Sequence, residues 1–257
     1  MKAKDQLLQL FRSMDFSSIQ LGLQFLESVE ELAPLREELL PTPAEQAILD
    51  EQFFGRRWKE PPMKQGLWLF FLTSIEVKQR NVFFSCQGKR YFIQNDLDFS
   101  LVLRYAYNLR QLELNHCRQE HILELLVTYE PPLKTLILDN LGIEEIPATI
   151  NLLHSLEALS ISNNQLKTLP TSFFELTRLK FLSLDDNALC VIAPQINALQ
   201  DLLRLSLNGN QLAGLPETLR ELLALKELYI RNNPLDILPE WLLGLDDCIV
   251  EVDELPT

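Results

Sequence analysis

The sequence predicts an α/β repeat protein: a stack of units that each contain a strand and a short helical return, preceded by an α+β region. Three observations predict this fold class. Leucine accounts for 56 of the 257 residues, residues 133–247 follow a 23-residue period, and residues 1–108 show no such period. A unit of this size cannot bury its own apolar edge, so neighbouring units must stack on one another.

Five consecutive units follow the period. They start at Leu133, Leu156, Leu179, Leu202 and Leu225. In every unit, positions 1, 4, 6, 11, 14, 18 and 21 are aliphatic or aromatic. Positions 4 and 6 alternate with polar neighbours, which is strand periodicity, whereas positions 18 and 21 have helical spacing. Each unit is therefore predicted to form a strand, a turn and a short helical or irregular return.

Two further segments extend the stack at its ends. Residues 109–132 repeat the strand spacing, and the apolar residues after that strand predict a helix over 118–130, which makes an atypical sixth unit. The inward face of this helix is expected to comprise Ile122, Leu125, Leu126 and Tyr129. Residues 248–257 are predicted as a C-terminal cap, with a last strand over 248–252.

Asparagine occupies unit position 9 in four units, at Asn164, Asn187, Asn210 and Asn233. A polar side chain at a fixed place among leucines needs partners, and an amide can satisfy backbone groups left free where a strand turns. Leu141 replaces it in the first unit and Cys117 upstream, so this ladder is expected to start in the second unit. Asn208, nearby on the outward side, is expected to contribute almost nothing to stability.

The pattern of leucines, position-9 asparagines and LP pairs resembles the leucine-rich repeat family, of the LxxLxLxxNxLxxLPxx type. The resemblance covers residues 133–247 and extends weakly to 109–132. It implies a curved solenoid whose parallel strands line the concave face, with the asparagines forming a ladder between neighbouring turns. Residues 109–257 are accordingly predicted as one leucine-rich repeat domain.

Residues 1–108 are predicted to cap the apolar end of this solenoid. Capping boxes at Ser17 and Thr42 predict two helices, which run to about Val29 and Phe54. The alternative is that this region forms a separate small domain with a function of its own.

The last part of this N-terminal region contains a hairpin signal and a helix signal. Two strand-like runs at 81–86 and 89–93 flank a Gln-Gly pair, which predicts a β-hairpin. Residues 98–108 predict a helix. Its inward face is expected to comprise Phe99, Val102, Leu103 and Ala106.

The chain is acidic, with a formal net charge of −13. Most of the excess lies in residues 109–257, where 22 acidic residues face 10 basic ones, so nucleic acid and anionic membranes are disfavoured as partners. The sequence predicts a cytoplasmic protein, on three observations. Its four cysteines are dispersed, it has no apolar signal region, and it has no apolar stretch long enough to span a membrane. A monomer is expected.

No catalytic, cofactor or metal site is predicted. His116, Cys117 and His121 lack a fourth zinc ligand, and Cys117 falls on an inward repeat position. The sequence contains no GxSxG, P-loop or GxGxxG motif. We therefore expect a protein that is not an enzyme and needs no cofactor.

The candidate binding surface is formed by unit positions 3, 5 and 7, whose side chains point out of the concave sheet. Most of these residues are small or polar, so large apolar or charged ones are candidate anchors. The predicted partner-binding residues are Ile137, Asp139, Phe181, Asp185, Arg204, Tyr229 and Arg231. The two aspartates are expected to steer a basic segment of the partner.

The function predicted from these features is a protein-interaction scaffold that binds a protein on its concave face. One alternative is the recognition part of a larger enzyme system, such as a bacterial effector of the ubiquitin-ligase kind or a repeat-bearing GTPase or kinase. This alternative is disfavoured because only ten residues follow the last repeat. The other alternative is a purely structural repeat protein.

Overall fold

The computed structural model describes residues 2–12, 39–53, 72–78, 81–86, 89–94, 99–116, 121–245 and 247–253. The chain divides into two compact units, Met1–Leu112 and Glu113–Thr257.

The first unit contains three helices and three strands within its described residues. The helices are α1 (Lys2–Arg12), α2 (Pro43–Phe53) and α3 (Phe99–Tyr105). The strands are β1 (Leu72–Lys78), β2 (Asn81–Cys86) and β3 (Lys89–Gln94). Strand β2 pairs antiparallel with both β1 and β3, which confirms the predicted hairpin. Helix α1 and strand β1 were not predicted, and the helix predicted from Ser17 lies outside the described residues.

The predicted capping box at Thr42 is confirmed. The backbone N of Glu45 donates to Thr42 Oγ1 at 3.2 Å, and the backbone N of Thr42 donates to Glu45 Oε2 at 2.8 Å. Arg104 and Tyr105 of α3 also donate to this carboxylate, each at 3.1 Å. Burial raises the pKa of Glu45, but these hydrogen bonds and the Arg104 charge outweigh it and hold the pKa below its usual value. Glu45 therefore joins α2 to α3.

Among the described residues, the buried core of the first unit comes from α1, Leu39, and α3 with the residues that follow it. Phe11 is fully buried and accepts a hydrogen bond at its carbonyl from Asn108 Nδ2 at 2.8 Å. The predicted inward residues Val102, Leu103 and Ala106 are buried, as expected. The helix predicted over 98–108 is shorter, because α3 ends at Tyr105.

The second unit is a stack of strands in chain order. Strand β4 (Gln111–Asn115) starts at the end of the first unit and is followed by β5 (Thr135–Asp139), β6 (Ala158–Ser160), β7 (Phe181–Ser183), β8 (Arg204–Ser206), β9 (Glu227–Tyr229) and β10 (Ile249–Glu251). Strands β5 to β10 pair in parallel with their neighbours along the sheet. The strands of successive repeats are in register, so residues at the same unit position lie side by side.

Each strand from β4 to β9 is followed by a helical return. After β4 the return is an α-helix, α4 (Ile122–Tyr129). After the later strands it is a short 3₁₀ helix, at Ile150–Leu153, Thr171–Glu175, Pro194–Ala198, Glu217–Glu221 and Glu240–Gly244. Helix α4 begins at Ile122, directly after His121, whose backbone is left-handed (φ 63°); the predicted helical residues 118–120 lie outside the described residues. Its buried residues are Ile122, Leu123 and Leu126, so Leu123 replaces the predicted Leu125 and Tyr129 on the inward face.

The leucines at unit positions 4 and 6 form the core of the stack. Leu159, Leu182, Leu205 and Leu228, at position 4, are between 0% and 2% exposed. They align directly across neighbouring strands, for example Leu182 opposite Leu205. Full burial of one such side chain contributes about 1.5–3 kcal/mol, so these rows supply much of the stability of the stack.

Unit position 8 has a left-handed backbone in every repeat, which the sequence analysis did not anticipate. The residues are His116, Asn140, Asn163, Asp186, Gly209 and Asn232, with φ between 52° and 64°. Asn, Asp and Gly are the residues that tolerate this conformation best, so the residue types at position 8 were a usable signal. At Gly209, a Cβ would lie 2.2 Å from Asp186 Oδ1, which favours glycine further.

The predicted asparagine ladder is confirmed, and it starts in the second unit as expected. Asn164 Oδ1 accepts from the backbone N of Leu141 at 3.1 Å and from that of Ile143 at 3.0 Å. Asn187 repeats the arrangement one unit later, accepting from Leu166 N at 3.0 Å and donating to Ile161 O at 2.8 Å. Each asparagine thus joins its own turn to the preceding one.

Asn210 has the lowest exposure of the ladder asparagines, at 5%. Its Oδ1 accepts from the backbone N of Leu189 at 3.1 Å, and its Nδ2 donates to Leu184 O at 2.9 Å and Leu207 O at 3.1 Å. Both carbonyls also accept from neighbouring ladder asparagines. The Leu189 N–H has no other acceptor among the described residues, so it depends on Asn210.

We expect Asn210→Leu to lower the free energy of unfolding by about 1–3 kcal/mol, the cost of one buried donor without an acceptor. Gln195→Leu is the matched control, because Gln195 is an exposed amide that makes no hydrogen bond within the described residues. Urea unfolding of both variants measures the difference. Equal midpoints would show that the ladder does not stabilise the fold.

Candidate functional site: the exposed face of the strands

The candidate site is the outward face of β5 to β10. The parallel register brings side chains of equal unit position into rows across the sheet. The position-3 row is Thr135, Ala158, Phe181, Arg204 and Glu227, continued by Ile249 of the last strand. The position-5 row is Ile137, Ser160, Ser183, Ser206 and Tyr229, continued by Glu251.

The middle of this face has a floor of small side chains. Ala158, Ser160, Ser183 and Ser206 occupy it, with Ile137 on β5 at one end and Tyr229 on β9 at the other. Small side chains leave room for the backbone or side chains of a second molecule to approach the sheet closely. The face is therefore a shallow surface between larger residues.

Four side chains form a connected cluster at the C-terminal end of the floor. The guanidinium of Arg204 lies 5.9 Å from the ring centroid of Phe181, within cation–π range. Arg204 also donates twice to the Glu227 carboxylate, with Nη2 to Oε1 at 3.0 Å, and Tyr229 donates its hydroxyl to Glu227 Oε2 at 2.8 Å. We call Phe181, Arg204, Glu227 and Tyr229 the aromatic–arginine cluster.

The electrostatics of the aromatic–arginine cluster follow from these bonds. The hydrogen bonds from Arg204 and then Tyr229 lower the pKa of Glu227. The hydrogen bond to Glu227 raises the pKa of Tyr229 and also that of Arg204. At neutral pH the cluster therefore contains one cation, one anion and a neutral phenol, and its side chains are held in one arrangement.

The two predicted steering residues have a structural role in addition to their charge. Asp139 Oδ1 accepts from Ser160 Oγ at 2.7 Å and from the backbone N of Ser162 at 2.8 Å. Asp185 Oδ1 accepts from the backbone N of Asn208 at 2.7 Å in the same way. Both carboxylates are half-buried, and neither has an ion-pair partner within the described ranges.

Asn208 continues this second ladder, and its hydrogen bonds argue against the expectation that it contributes almost nothing to stability. Its Oδ1 accepts from the backbone N of Arg231 at 2.7 Å, and its Nδ2 donates to Ser206 Oγ at 3.2 Å. Position 7 thus accepts a backbone N–H from the next repeat at Asp139, Asp185 and Asn208.

The structure brings some of the predicted site residues together and leaves others apart. Arg204 and Tyr229 both donate to Glu227, and Phe181 joins them by its contact with Arg204. Glu227 was not among the predicted site residues, although it occupies the same unit position as Arg204. Arg231 lies outside the cluster, with its Nη2 3.5 Å from Glu251 Oε2. Ile249, also missed, extends the position-3 row and is 61% exposed.

A cleft of about 940 Å³ forms a second concavity, beside α4. Its lining includes His116, His121, Glu124 and Glu144. Among the described residues no three His, Cys, Asp or Glu side chains are close enough to hold a metal ion. In the same part of the chain, no helix has the length and hydropathy needed to cross a bilayer.

Parallel strands in register, 3₁₀ returns and an asparagine ladder define a repeat solenoid of the leucine-rich type. The sequence matches the leucine-rich repeat region family over residues 92–237. This match spans more than half of the chain, and the chain therefore belongs to the leucine-rich repeat family. Repeat solenoids present extended binding surfaces, so membership of this family supports a general role as a protein-interaction repeat scaffold.

Solved structures of bacterial proteins share the fold. A leucine-rich repeat protein of Leptospira interrogans matches with 27% identity and a TM-score of 0.51, covering 60% of this chain and 44% of its own. An internalin of Listeria monocytogenes matches with 20% identity and a TM-score of 0.50, covering 62% and 52%. Internalin C2 of the same organism matches with 21% identity and a TM-score of 0.51, covering 59% and 65%. The chain thus spans less than two thirds of each; a search of curated proteins finds no match.

Proposed function

We propose that this chain binds a protein partner on the outward face of β5 to β9, with the aromatic–arginine cluster as its main anchor. The observation that supports this proposal most is the geometry of that cluster. Phe181 is 44% exposed on the sheet face and is held in place by Arg204, which is itself fixed by Glu227. Aromatic and arginine side chains are the most frequent energetic anchors of protein interfaces.

Preorganisation makes the cluster a better anchor than four independent side chains. The free energy of binding becomes less favourable by about 0.5–1.5 kcal/mol for each flexible side chain that the interface immobilises. Here the hydrogen bonds among Arg204, Glu227 and Tyr229 fix three side chains before the partner arrives. The partner therefore meets a surface that is already ordered.

The size of the face fits a single segment of a partner. Parallel strands lie about 4.8 Å apart, so Ile137 on β5 and Tyr229 on β9 are separated by roughly 19 Å. A helix of about 13 residues covers that distance, since each residue rises about 1.5 Å. The floor of alanine and serine between the two ends leaves room for such a segment.

The charge of the face favours a basic segment. Asp139 and Asp185 flank the serine floor without ion-pair partners in the described part of the chain, and Asp186 next to them is exposed. Residues 109–257 contain 22 acidic and 10 basic residues, which adds a long-range negative potential. Such a potential speeds the association of a cationic partner more than it tightens the final complex.

Capture of the partner with the full chain from cells of the native host, read by mass spectrometry, is the first step of the test. The proposal requires that the captured protein binds much more weakly when Phe181 and Tyr229 are replaced. A captured protein that binds this double variant as well as the wild type would contradict the proposed site.

Removal of the two steering charges should slow association. We expect Asp139→Asn with Asp185→Asn to lower the association rate constant by roughly 3- to 10-fold at low salt, with a smaller effect at high salt. Asparagine keeps the Oδ1 acceptor, as Asn208 does naturally, so the backbone hydrogen bonds of the second ladder are preserved. Surface binding at two salt concentrations measures the effect; an unchanged association rate at low salt would exclude steering by these residues.

A further inference from the structure

A patch with only two charged residues lies on a different surface of the solenoid, on the loops that follow the strands in the last four repeats. The patch consists of unit positions 12 and 13, and all of its residues are exposed. Position 12 holds Lys167, Cys190, Ala213 and Asp236, and position 13 holds Thr168, Val191, Gly214 and Ile237. Val191 is 60% exposed and Ile237 75% exposed. The same positions of the first repeat are Glu144 and Glu145.

The loops of this patch are aligned with one another. Backbone hydrogen bonds join each to the preceding one: Ala188 N to Leu166 O at 2.9 Å, Gln211 N to Leu189 O at 2.9 Å, and Asp236 N to Ala213 O at 3.3 Å. Residues of equal unit position therefore form two rows, as they do on the strands. The position-12 row has charge only at its two ends, at Lys167 and Asp236, and the position-13 row has none.

The two rows of one copy are complementary to the same two rows of a second copy when the repeats of the second copy run in the opposite order. If two copies face each other about a two-fold axis perpendicular to the solenoid, the second repeat meets the fifth and the third meets the fourth. Val191 of one copy then lies opposite Gly214 of the other. A Cβ at Gly214 would have no atom within 4 Å, so the position leaves space for a protruding valine.

The charges at the ends of the rows favour the same orientation. In reverse order, Lys167 of one copy lies opposite Asp236 of the other, and neither residue has an ion-pair partner within the described residues. In the same order, Lys167 would face Lys167, and Glu144 with Glu145 would face their own copies. Like charges placed opposite each other across an interface are unfavourable, so the charges favour the reversed orientation over the parallel one.

We propose that this patch docks a second copy of the chain and forms a two-fold symmetric dimer with reversed solenoids. The inference goes beyond the proposed function and differs from the monomer expected from the sequence. Eight residues on each side make a small interface, below about 1,200 Å² in total, so the dimer is weak and depends on concentration. It leaves the aromatic–arginine cluster free and gives the assembly two partner-binding faces.

Sedimentation equilibrium of the full chain under reducing conditions tests the proposal. We expect the wild type to shift from monomer to dimer as concentration rises from about 1 μM to about 1 mM. Val191→Glu and Gly214→Glu should each weaken the dimer at least about 10-fold, because each places a carboxylate in an apolar contact. Gly214→Glu is the more informative variant, since the open space around this residue lets the monomer fold unchanged.

Control variants distinguish dimerisation through the patch from nonspecific association. Leu223→Glu removes an apolar side chain that is 85% exposed in the same repeat as Gly214 but outside both rows, and it should not change the dimer. Lys167→Glu should weaken the dimer, and Lys167→Glu with Asp236→Lys should restore it. A wild type that stays monomeric at about 1 mM, an equal effect of Leu223→Glu, or no restoration by the charge swap would each overturn the proposal. The Phe181/Tyr229 double variant should dimerise like the wild type, which separates this result from the partner-binding proposal.

Discussion

Replacing both Phe181 and Tyr229 with alanine should weaken binding of the protein partner by about 2–4 kcal/mol, roughly 30- to 1,000-fold in Kd. Each truncation at an interface anchor costs about 1–3 kcal/mol, and the two effects are not independent. Both side chains belong to the same cluster, because Arg204 lies over the Phe181 ring and shares Glu227 with Tyr229. Coupled residues of this kind give a combined loss that differs from the sum of the single losses.

The loss should occur without a loss of stability. Phe181 is 44% exposed and Tyr229 is half-exposed, so neither side chain fills the leucine core. Isothermal calorimetry with the captured partner measures the affinity, and thermal unfolding measures the fold. An unchanged Kd with unchanged melting would move the binding site away from this face.

Two further variants define how the anchor works. Tyr229→Phe removes only the hydroxyl that donates to Glu227, so it should retain most of the affinity if the ring is the contact. Leu223→Ala is the matched control for apolar truncation, because this residue is 85% exposed on another part of the repeat. A loss of affinity in the Leu223 variant equal to that in the double variant would mean that the effect is not specific to the cluster.

The repetitive part of the fold was predictable because each unit position occurs in five successive repeats. The ladder asparagines and the position-4 leucines recur at a fixed spacing, and a single physical requirement explains each of them. Helix α1 was missed because charges interrupt its sequence, although the buried Leu7 and Phe11 have helical spacing. Strand β1 was missed because it is only seven residues long and directly follows an apolar run. Its alternation of apolar and polar residues is limited to Ile75 and Val77 and their neighbours.

The contacts within the candidate site were harder to predict, because they join residues of different repeats. Glu227 pairs with Arg204, and Glu157 pairs with both Lys134 and Lys180. In each case opposite charges occupy the same unit position in neighbouring repeats, which is a signal that the aligned sequence contains. The hydrogen bonds and charges of the two lysines lower the pKa of Glu157 to about 2, so this pairing persists as pH falls until the carboxyl is protonated near that value.

The second ladder could not be inferred from residue types alone. Asp139, Asp185 and Asn208 were identified as outward residues, which is correct for their position on the strand. Whether an outward carboxylate also accepts a backbone N–H depends on where the next repeat turns, and only the structure places Ser162 N and Asn208 N against these oxygens. The capping role of residues 1–108 stays a prediction.

A fragment that starts at Leu133 should fail to fold stably. It lacks β4 and α4, whose buried residues Leu114, Ile122, Leu123 and Leu126 are between 0% and 5% exposed. Helix α4 packs on the 3₁₀ helix Ile150–Leu153, so its removal also uncovers the first full repeat. Full burial of each such side chain is worth about 1.5–3 kcal/mol, and four of them contribute about 6–12 kcal/mol.

The comparison of two fragments separates the role of the atypical repeat from that of the N-terminal region. We expect 133–257 to aggregate or to lack a cooperative unfolding transition, as measured by circular dichroism and light scattering. The fragment 109–257 keeps β4 and α4, so it should regain repeat structure but remain prone to association if residues 1–108 are a cap. The fragment 1–108 alone should be poorly folded on the same grounds. If the fragment 109–257 is monomeric and the fragment 1–108 folds stably, capping is contradicted and a separate N-terminal domain is favoured. If the fragment 133–257 is stable and monomeric, the five regular repeats need no covering unit.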